Sequence, residues 1–364
     1  MDRPAARPEP RPAVAALPRY VPGARGAADG PPPVKLSSNE SPYPPLPSVA
    51  QAVAAAGEVA HRYPDMFAVE LHERIGAFLG LSAESVAVGG GSVAALHHVL
   101  QAYTGAGDEV IFAWRSFEAY PILTQVAGAT AVPVPLTEDG RHDLDAMAAA
   151  ITERTKVILL CSPNNPTGPT LRTAEVEGFL AHVPSRVLVV LDEAYVEFVR
   201  DPDVIDGRAA LDRHPNLLIA RTFSKAYGLA GLRVGYVAGD AELIAPVRSC
   251  VTPFSVSAPA QTAAIVSLDA RDELLERVEA VVAERGRVAD ALAELGWTVP
   301  DPQGNFVWLA AGERTAEIAA ALAAAEPAVL VRPFAGEGIR VTIGTRDEND
   351  AMLAALASLG ANAS

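Results

Sequence analysis

Residues 216–233 read NLLIARTFSKAYGLAGLR. The stretch begins with a short apolar run, 216–220, of the kind that forms buried strands. A polar segment follows at once, in which the hydroxyls of Thr222 and Ser224 accompany the amine of Lys225 and the guanidinium of Arg233. Ligands of open α/β sheets bind beyond the carboxyl ends of the strands. The stretch therefore predicts a parallel strand that delivers reactive and cationic groups to a binding site.

Lys225 is one of only three lysines in a chain that otherwise uses arginine as its cation. Lysine and arginine together number 29, and the other two lysines are Lys35 and Lys156. A lysine amine can lose its proton and act as a nucleophile, whereas a guanidinium cannot. A lysine at the end of a predicted strand therefore indicates amine chemistry.

Apolar strands alternate with helices around this stretch. The strand-like runs are 109–112, 129–134, 155–161, 186–191, 216–220 and 233–237, and helical patterns cover 66–79, 93–103, 117–127 and 173–182. Nearly continuous apolar strands separated by helices predict an α/β fold, with a mostly parallel sheet covered on both faces.

The pattern changes after about residue 250. A long helix, 271–295, is followed by strands at 305–309, 328–331 and 339–343 and by helices at 314–325 and 346–358. This mixture predicts a smaller α+β domain. We therefore divide the chain into an N-terminal arm (1–45), a large domain (46–255) and a small C-terminal domain (256–364).

Polar groups also follow the other predicted strands. Asp192 and Tyr195 come after run 186–191, and Asn165 lies in a proline-rich turn after run 155–161. Gly91 and Ser92 precede a predicted helix, where backbone N–H groups can bind an anion. Together with Lys225 these groups meet the needs of pyridoxal phosphate: an amine for its aldehyde, a carboxylate for its ring nitrogen, donors for its phenolic oxygen and a cradle for its phosphate.

Charge and composition narrow the function further. The formal net charge is −15, which disfavours binding to nucleic acid or anionic lipid. No apolar run is long enough to span a bilayer or to serve as a secretory signal, and the two cysteines cannot form a disulfide framework. We expect a cytoplasmic protein with no membrane partner and no metal ligands.

Five motifs resemble one known family. They are YVPG at 20–23, SNE at 38–40, RYPD at 62–65, the lysine segment 222–233 and RVTIG at 340–344. With Asn165 and Asp192, they resemble the fold-type I pyridoxal-phosphate aminotransferases, and within these the histidinol-phosphate aminotransferase family. The resemblance extends from residue 20 to about 355 and implies a seven-stranded type of sheet, a homodimer with shared active sites, and amino-acid and 2-oxo acid substrates.

The resemblance also implies a role for individual residues. Lys225, Asp192 and Tyr195 would be catalytic, with Lys225 as the Schiff-base lysine and general base and Asp192 as the partner of the ring nitrogen. The other cofactor contacts would be Gly91, Ser92, Phe117, Asn165, Thr222, Ser224, Arg233 and, from the neighbouring subunit, Tyr63. The substrate contacts would be Arg340, which grips the α-carboxylate, with Asn39 and Tyr20.

The preferred amino donor depends on two departures from the histidinol-phosphate pattern. Val93-Ala94-Ala95 lacks the acidic residue that those enzymes commonly carry, and Arg115-Ser116-Phe117 replaces their Pro-Thr-Tyr. Both segments are similar to the aromatic-amino-acid branch of the family. We therefore expect an aromatic aminotransferase of amino-acid biosynthesis that uses 2-oxoglutarate, with histidinol-phosphate transamination as the alternative. A decarboxylase and a non-enzymatic binding protein on the same scaffold are the remaining rivals.

Overall fold

The computed structural model of the chain describes residues 8–15, 17 and 32–360. Its strands are β1 Val34–Lys35, β2 Val86–Gly89, β3 Glu109–Trp114, β4 Thr130–Pro135, β5 Thr155–Cys161, β6 Leu188–Asp192, β7 Leu217–Thr222, β8 Gly235–Gly239, β9 Phe306–Leu309, β10 Val329–Leu330, β11 Arg332–Phe334 and β12 Gly338–Thr342. Its α-helices are α1 Pro12–Ala15, α2 Pro47–Glu58, α3 Val69–Leu79, α4 Ser92–Tyr103, α5 Ala119–Ala127, α6 Leu144–Ala149, α7 Thr173–His182, α8 Gly207–Leu211, α9 Ala241–Ser249, α10 Ala258–Asp269, α11 Arg271–Glu294, α12 Thr315–Ala323 and α13 Arg346–Ser358.

The large sheet has seven strands in the order β2-β8-β7-β6-β5-β3-β4. The strands from β7 to β4 pair in parallel, and β8 is antiparallel to both of its neighbours. The prediction of a mostly parallel α/β sheet is confirmed. Six strands match the predicted runs to within two or three residues, and β2 was not among those runs.

Strand alternation divides the core into two layers. Val110 and Phe112 pack on one face of the sheet, whereas Ile111 packs on the other, as the two-residue period of a strand requires. The same period in β6 puts Asp192 on the face that Val190 shares with helix α5. The sheet therefore fixes the position of Asp192 before any ligand is considered.

The smaller sheet is antiparallel, in the order β11-β12-β9. The predicted strand 328–331 forms β10, but β10 pairs in parallel with β1 instead of joining this sheet. Strand β11, which directly follows β10, pairs with β12. Residues 34–35 are thereby tied to the C-terminal part of the chain.

The division at residues 45 and 255 stays a proposal. It assigns all seven strands of the large sheet to one domain and β9–β12 to the other. Helix α10, just after the proposed boundary, packs on α2 and α3 of the large domain. In the part of the chain that the structure describes, no helix is both long and apolar enough to cross a membrane.

Candidate functional site

A cavity of about 280 Å³ lies between the carboxyl ends of the parallel strands and the smaller sheet. Its lining includes ten of the residues predicted from the sequence: Ser92, Phe117, Asn165, Asp192, Tyr195, Thr222, Ser224, Lys225, Arg233 and Arg340. Gly91 and Asn39 do not line it but neighbour residues that do. Tyr20 lies outside the described residues, so its predicted substrate contact stays a prediction.

Lys225 lies in the segment after β7 and reaches the cavity from the large domain. Its Nζ donates to the backbone oxygen of Ser38 at 3.2 Å. Desolvation, followed by the nearby charge of Arg340, lowers the pKa of Lys225 to about 7. An amine with such a pKa can act as a nucleophile or exchange a proton near neutral pH.

Asp192 ends β6 and is 3% exposed. Its Oδ2 accepts a hydrogen bond from the Tyr120 hydroxyl at 2.8 Å, whereas its buried Oδ1 has no partner among the described residues. Burial raises the pKa of Asp192 to about 6. Buried polar atoms are almost always hydrogen-bonded, so an unpartnered carboxylate oxygen at a cavity indicates a ligand with a donor there. The protonated ring nitrogen of pyridoxal phosphate fits this position.

An anion cradle lies at the N-terminus of helix α4. Arg233 donates to Ser224 Oγ at 3.3 Å and to the backbone oxygen of Gly90 at 3.4 Å. Gly91 adopts φ 89°, and a Cβ there would run into the Arg233 guanidinium. The glycine is therefore required both by its left-handed backbone and by its close approach to the arginine. Backbone N–H groups, hydroxyls and a guanidinium together suit a phosphate group.

A hydrogen-bonded network joins the two sheets at the floor of the cavity. Arg340 donates to Asn165 Oδ1 at 2.6 Å and to the backbone oxygen of Ser37 at 2.9 Å. Asn39 donates from Nδ2 to the Tyr195 hydroxyl at 3.0 Å, and its backbone N–H donates to Thr342 on β12 at 2.8 Å. The segment 37–39 is thus the bridge that holds the smaller sheet against the large one.

The far wall of the cavity contains residues that the sequence reasoning did not assign. Phe334 and Glu118 line it, as do Ser38 and Arg332, whose contact with substrate the sequence left open. The ring of Phe334 packs edge-on against Trp308 at 5.5 Å between centroids. The available signal was the alternation of Arg332 and Phe334 on β11, which puts both side chains on the same face.

Tyr63 lies away from the cavity of its own chain and is 83% exposed. Its ring packs on Phe254, and Phe67 and Val69 nearby are also largely exposed. A second cavity, of about 360 Å³, opens beside them and is lined partly by Phe67. A patch of exposed apolar side chains of this kind marks an interaction surface.

Comparisons with known proteins agree with this geometry. A family model described as aminotransferase class I and II matches residues 31–356. An aromatic amino acid aminotransferase of Streptomyces avermitilis is 57% identical, over 93% of each chain. One of Cutibacterium acnes is 52% identical, over 95% of this chain and 97% of the other. The crystal structure of histidinol-phosphate aminotransferase from Sinorhizobium meliloti, in complex with pyridoxal-5′-phosphate, has a TM-score of 0.86 and 26% identity, over 98% of this chain and all of the other.

Proposed function

The chain belongs to the class I and II aminotransferase family, and on that premise we propose that it transfers amino groups between aromatic amino acids and 2-oxoglutarate with pyridoxal 5′-phosphate as cofactor. The observation that carries the proposal is the pairing of Lys225 and Asp192 in one cavity. One offers an amine with a lowered pKa, and the other offers a buried oxygen without a partner.

The cofactor contacts that we propose follow from the donor and acceptor pattern. Asn165 Oδ1 accepts from Arg340, so its Nδ2 is the group available to donate to the phenolic oxygen. Tyr195 accepts from Asn39, so its own hydroxyl proton is available to donate there as well. Gly91, Ser92, Thr222, Ser224 and Arg233 would bind the phosphate, and Phe117 would lie against the ring.

The chemistry that bound pyridoxal phosphate supplies is a reversible covalent attachment for the amino group and a sink for the electron pair at the substrate α-carbon. Lys225 would take the proton from the α-carbon and return it at the far end of the transfer, acting as general base and then as general acid. Asp192 would hold the ring nitrogen protonated. Arg340 would grip the α-carboxylate as a two-pronged donor, which serves both substrates because both carry that group.

The aromatic donor is supported by the relatives and by the cavity wall. Relatives that share more than half of their residues with this chain bear the aromatic name, whereas the histidinol-phosphate enzyme shares 26%. Phe117 and Phe334 offer apolar surface to a substrate ring. The comparisons thus favour the aromatic function over the histidinol-phosphate alternative.

We also propose a homodimer in which Tyr63 reaches the cofactor phosphate of the other subunit. The exposed apolar patch around Tyr63 supports it, since burial of that patch in a dimer would remove the cost of its exposure to water. We place the enzyme in the cytoplasm and in amino-acid biosynthesis; the two cysteines, both without a disulfide, agree with a reducing compartment.

The test compares kcat/KM for phenylalanine and for histidinol phosphate as amino donors, with 2-oxoglutarate as acceptor. We expect a clear preference for phenylalanine. A preference for histidinol phosphate would overturn the proposed specificity, and release of carbon dioxide from the donor would overturn transamination.

A further inference from the structure

Two guanidinium groups lie next to each other on the smaller sheet, facing the cavity. Arg332 on β11 is directly opposite Arg340 on β12, and both line the cavity. Residues directly opposite on antiparallel strands project on the same face, and like charges in that arrangement repel each other. The pair therefore needs negative charge nearby.

Glu118 supplies that charge to Arg332. Its Oε2 lies 2.7 Å from Arg332 Nη2, and it belongs to the segment that joins β3 to α5 in the large domain. The Arg332 side chain is 9% exposed, whereas that of Glu118 is 29% exposed. The Arg332 guanidinium also lies 5.6 Å from the ring centre of Phe334, so its cation borders the apolar wall.

The proposed reaction makes two demands on this wall. A substrate ring is neutral, and a buried cation beside it without a counter-ion would be costly. The distal carboxylate of 2-oxoglutarate is an anion, for which the same cation is the natural partner. One wall has to serve both ligands in alternate half-reactions.

We propose that Glu118 is an exchangeable counter-ion that sets the selectivity between ring and carboxylate side chains. It neutralises Arg332 while a ring occupies the cavity, and it yields Arg332 to the distal carboxylate of a dicarboxylic 2-oxo acid. The difference in exposure gives the direction of exchange: Glu118 can turn towards solvent, whereas Arg332 stays in the wall. Glu118 acts through Arg332 and is a positioning residue. The inference rests on the proposed function, which supplies the two kinds of ligand.

A second ion pair joins the same two segments and offers a matched control. Arg115 donates from Nε to Glu337 Oε2 at 2.9 Å, and its other nitrogen also contacts this carboxylate. Arg115 comes from the β3–α5 segment and Glu337 from the β11–β12 turn, but neither lines the cavity. Removing the Glu337 charge loosens the contact between the segments without changing the charge at the wall.

The experiment measures binding and turnover in the cofactor-loaded wild type, Glu118→Gln and Glu337→Gln. Calorimetry follows two unreactive carboxylic acids, glutarate and 3-phenylpropionate, and kinetics follow 2-oxoglutarate and phenylalanine. For Glu118→Gln we expect glutarate to bind about tenfold more tightly and 3-phenylpropionate more weakly, equivalent to about 1.4 kcal/mol gained for the anion. The KM values of 2-oxoglutarate and phenylalanine should move in the same opposite directions, and Glu337→Gln should leave the ratio of the two affinities unchanged.

The controls separate this inference from the function on which it rests. If wild type fails to transfer amino groups from phenylalanine, the proposed function fails. If wild type does so, but Glu118→Gln weakens both ligands alike or shifts the ratio no more than Glu337→Gln does, the inference is overturned and the proposed function stands.

Discussion

Asp192→Asn should stabilise the cofactor-free protein while it removes activity. Burial raises the pKa of the Asp192 carboxyl from 3.8 to about 6 in the folded chain. A carboxyl whose pKa is raised by folding costs stability once the pH is high enough to ionise it. The cost is absent below the unfolded pKa and fully present above the folded one. A difference of about 2 in pKa corresponds to about 3 kcal/mol at pH 8.

The substitution is close to isosteric, because the asparagine oxygen can still accept from the Tyr120 hydroxyl. For a chain of this length, 3 kcal/mol corresponds to a rise of about 4 °C in Tm. Differential scanning calorimetry of the cofactor-free protein at pH 8 should detect the gain, which should largely vanish near pH 4. Asp290→Asn, on an exposed position of α11, removes the same charge from the surface and should change Tm little at either pH.

Cofactor binding should reverse the order. The protonated ring nitrogen would give Oδ1 a partner, so added pyridoxal phosphate should raise the Tm of wild type more than that of Asp192→Asn. The reasoning is refuted if the variant is no more stable than wild type at pH 8, or if its gain is the same at both pH values. An equal response of the two proteins to cofactor would refute the assignment of Asp192 to the ring nitrogen.

Three further outcomes are expected. Lys225→Ala should lower transamination at least about a thousandfold with Tm retained, because it removes both the attachment point and the general base; near-normal turnover would sink the assignment. Mixing inactive Lys225→Ala and Tyr63→Phe chains should restore activity in hybrid dimers if sites are shared, and confirmed hybrids without activity would contradict sharing. Gly91→Ala should weaken cofactor binding at least about tenfold, measured by equilibrium titration, because its Cβ would displace the Arg233 guanidinium; unchanged affinity would remove Gly91 from the cradle.

The parts of the site that sequence reasoning reached are those that follow from strand position. Lys225, Asp192 and Asn165 each come just after a run of apolar residues, and the parallel sheet brings the ends of those runs to one edge. The period of a strand and the carboxyl-end rule are local and topological, so they can be read without coordinates. Their roles came from the family resemblance, not from position.

Other parts depend on contacts between distant segments, which no local pattern encodes. Glu118 and Arg332 are 214 residues apart, and Asn39 and Tyr195 are 156 apart. The lowered pKa of Lys225 likewise depends on burial and on Arg340, from another sheet. Helix α10 escaped prediction for a different reason: its sequence, APAQTAAIVSLD, has small or apolar residues around most of its circumference and so lacks the one-sided pattern of a surface helix.

The two acidic residues of the cavity differ in a way that matches how long their partners stay. An enzyme keeps its cofactor through many turnovers, so Asp192 can be left without a donor on Oδ1, and the cost in the empty protein is returned as affinity for the cofactor. Substrates leave in every half-reaction, so a buried cation that waited for a carboxylate would be exposed to an apolar ring in alternate steps. Arg332 instead has Glu118 beside it, which lowers its attraction for anions but keeps the wall acceptable to a ring. A permanent ligand favours an unpartnered group, and an alternating pair of ligands favours a replaceable partner.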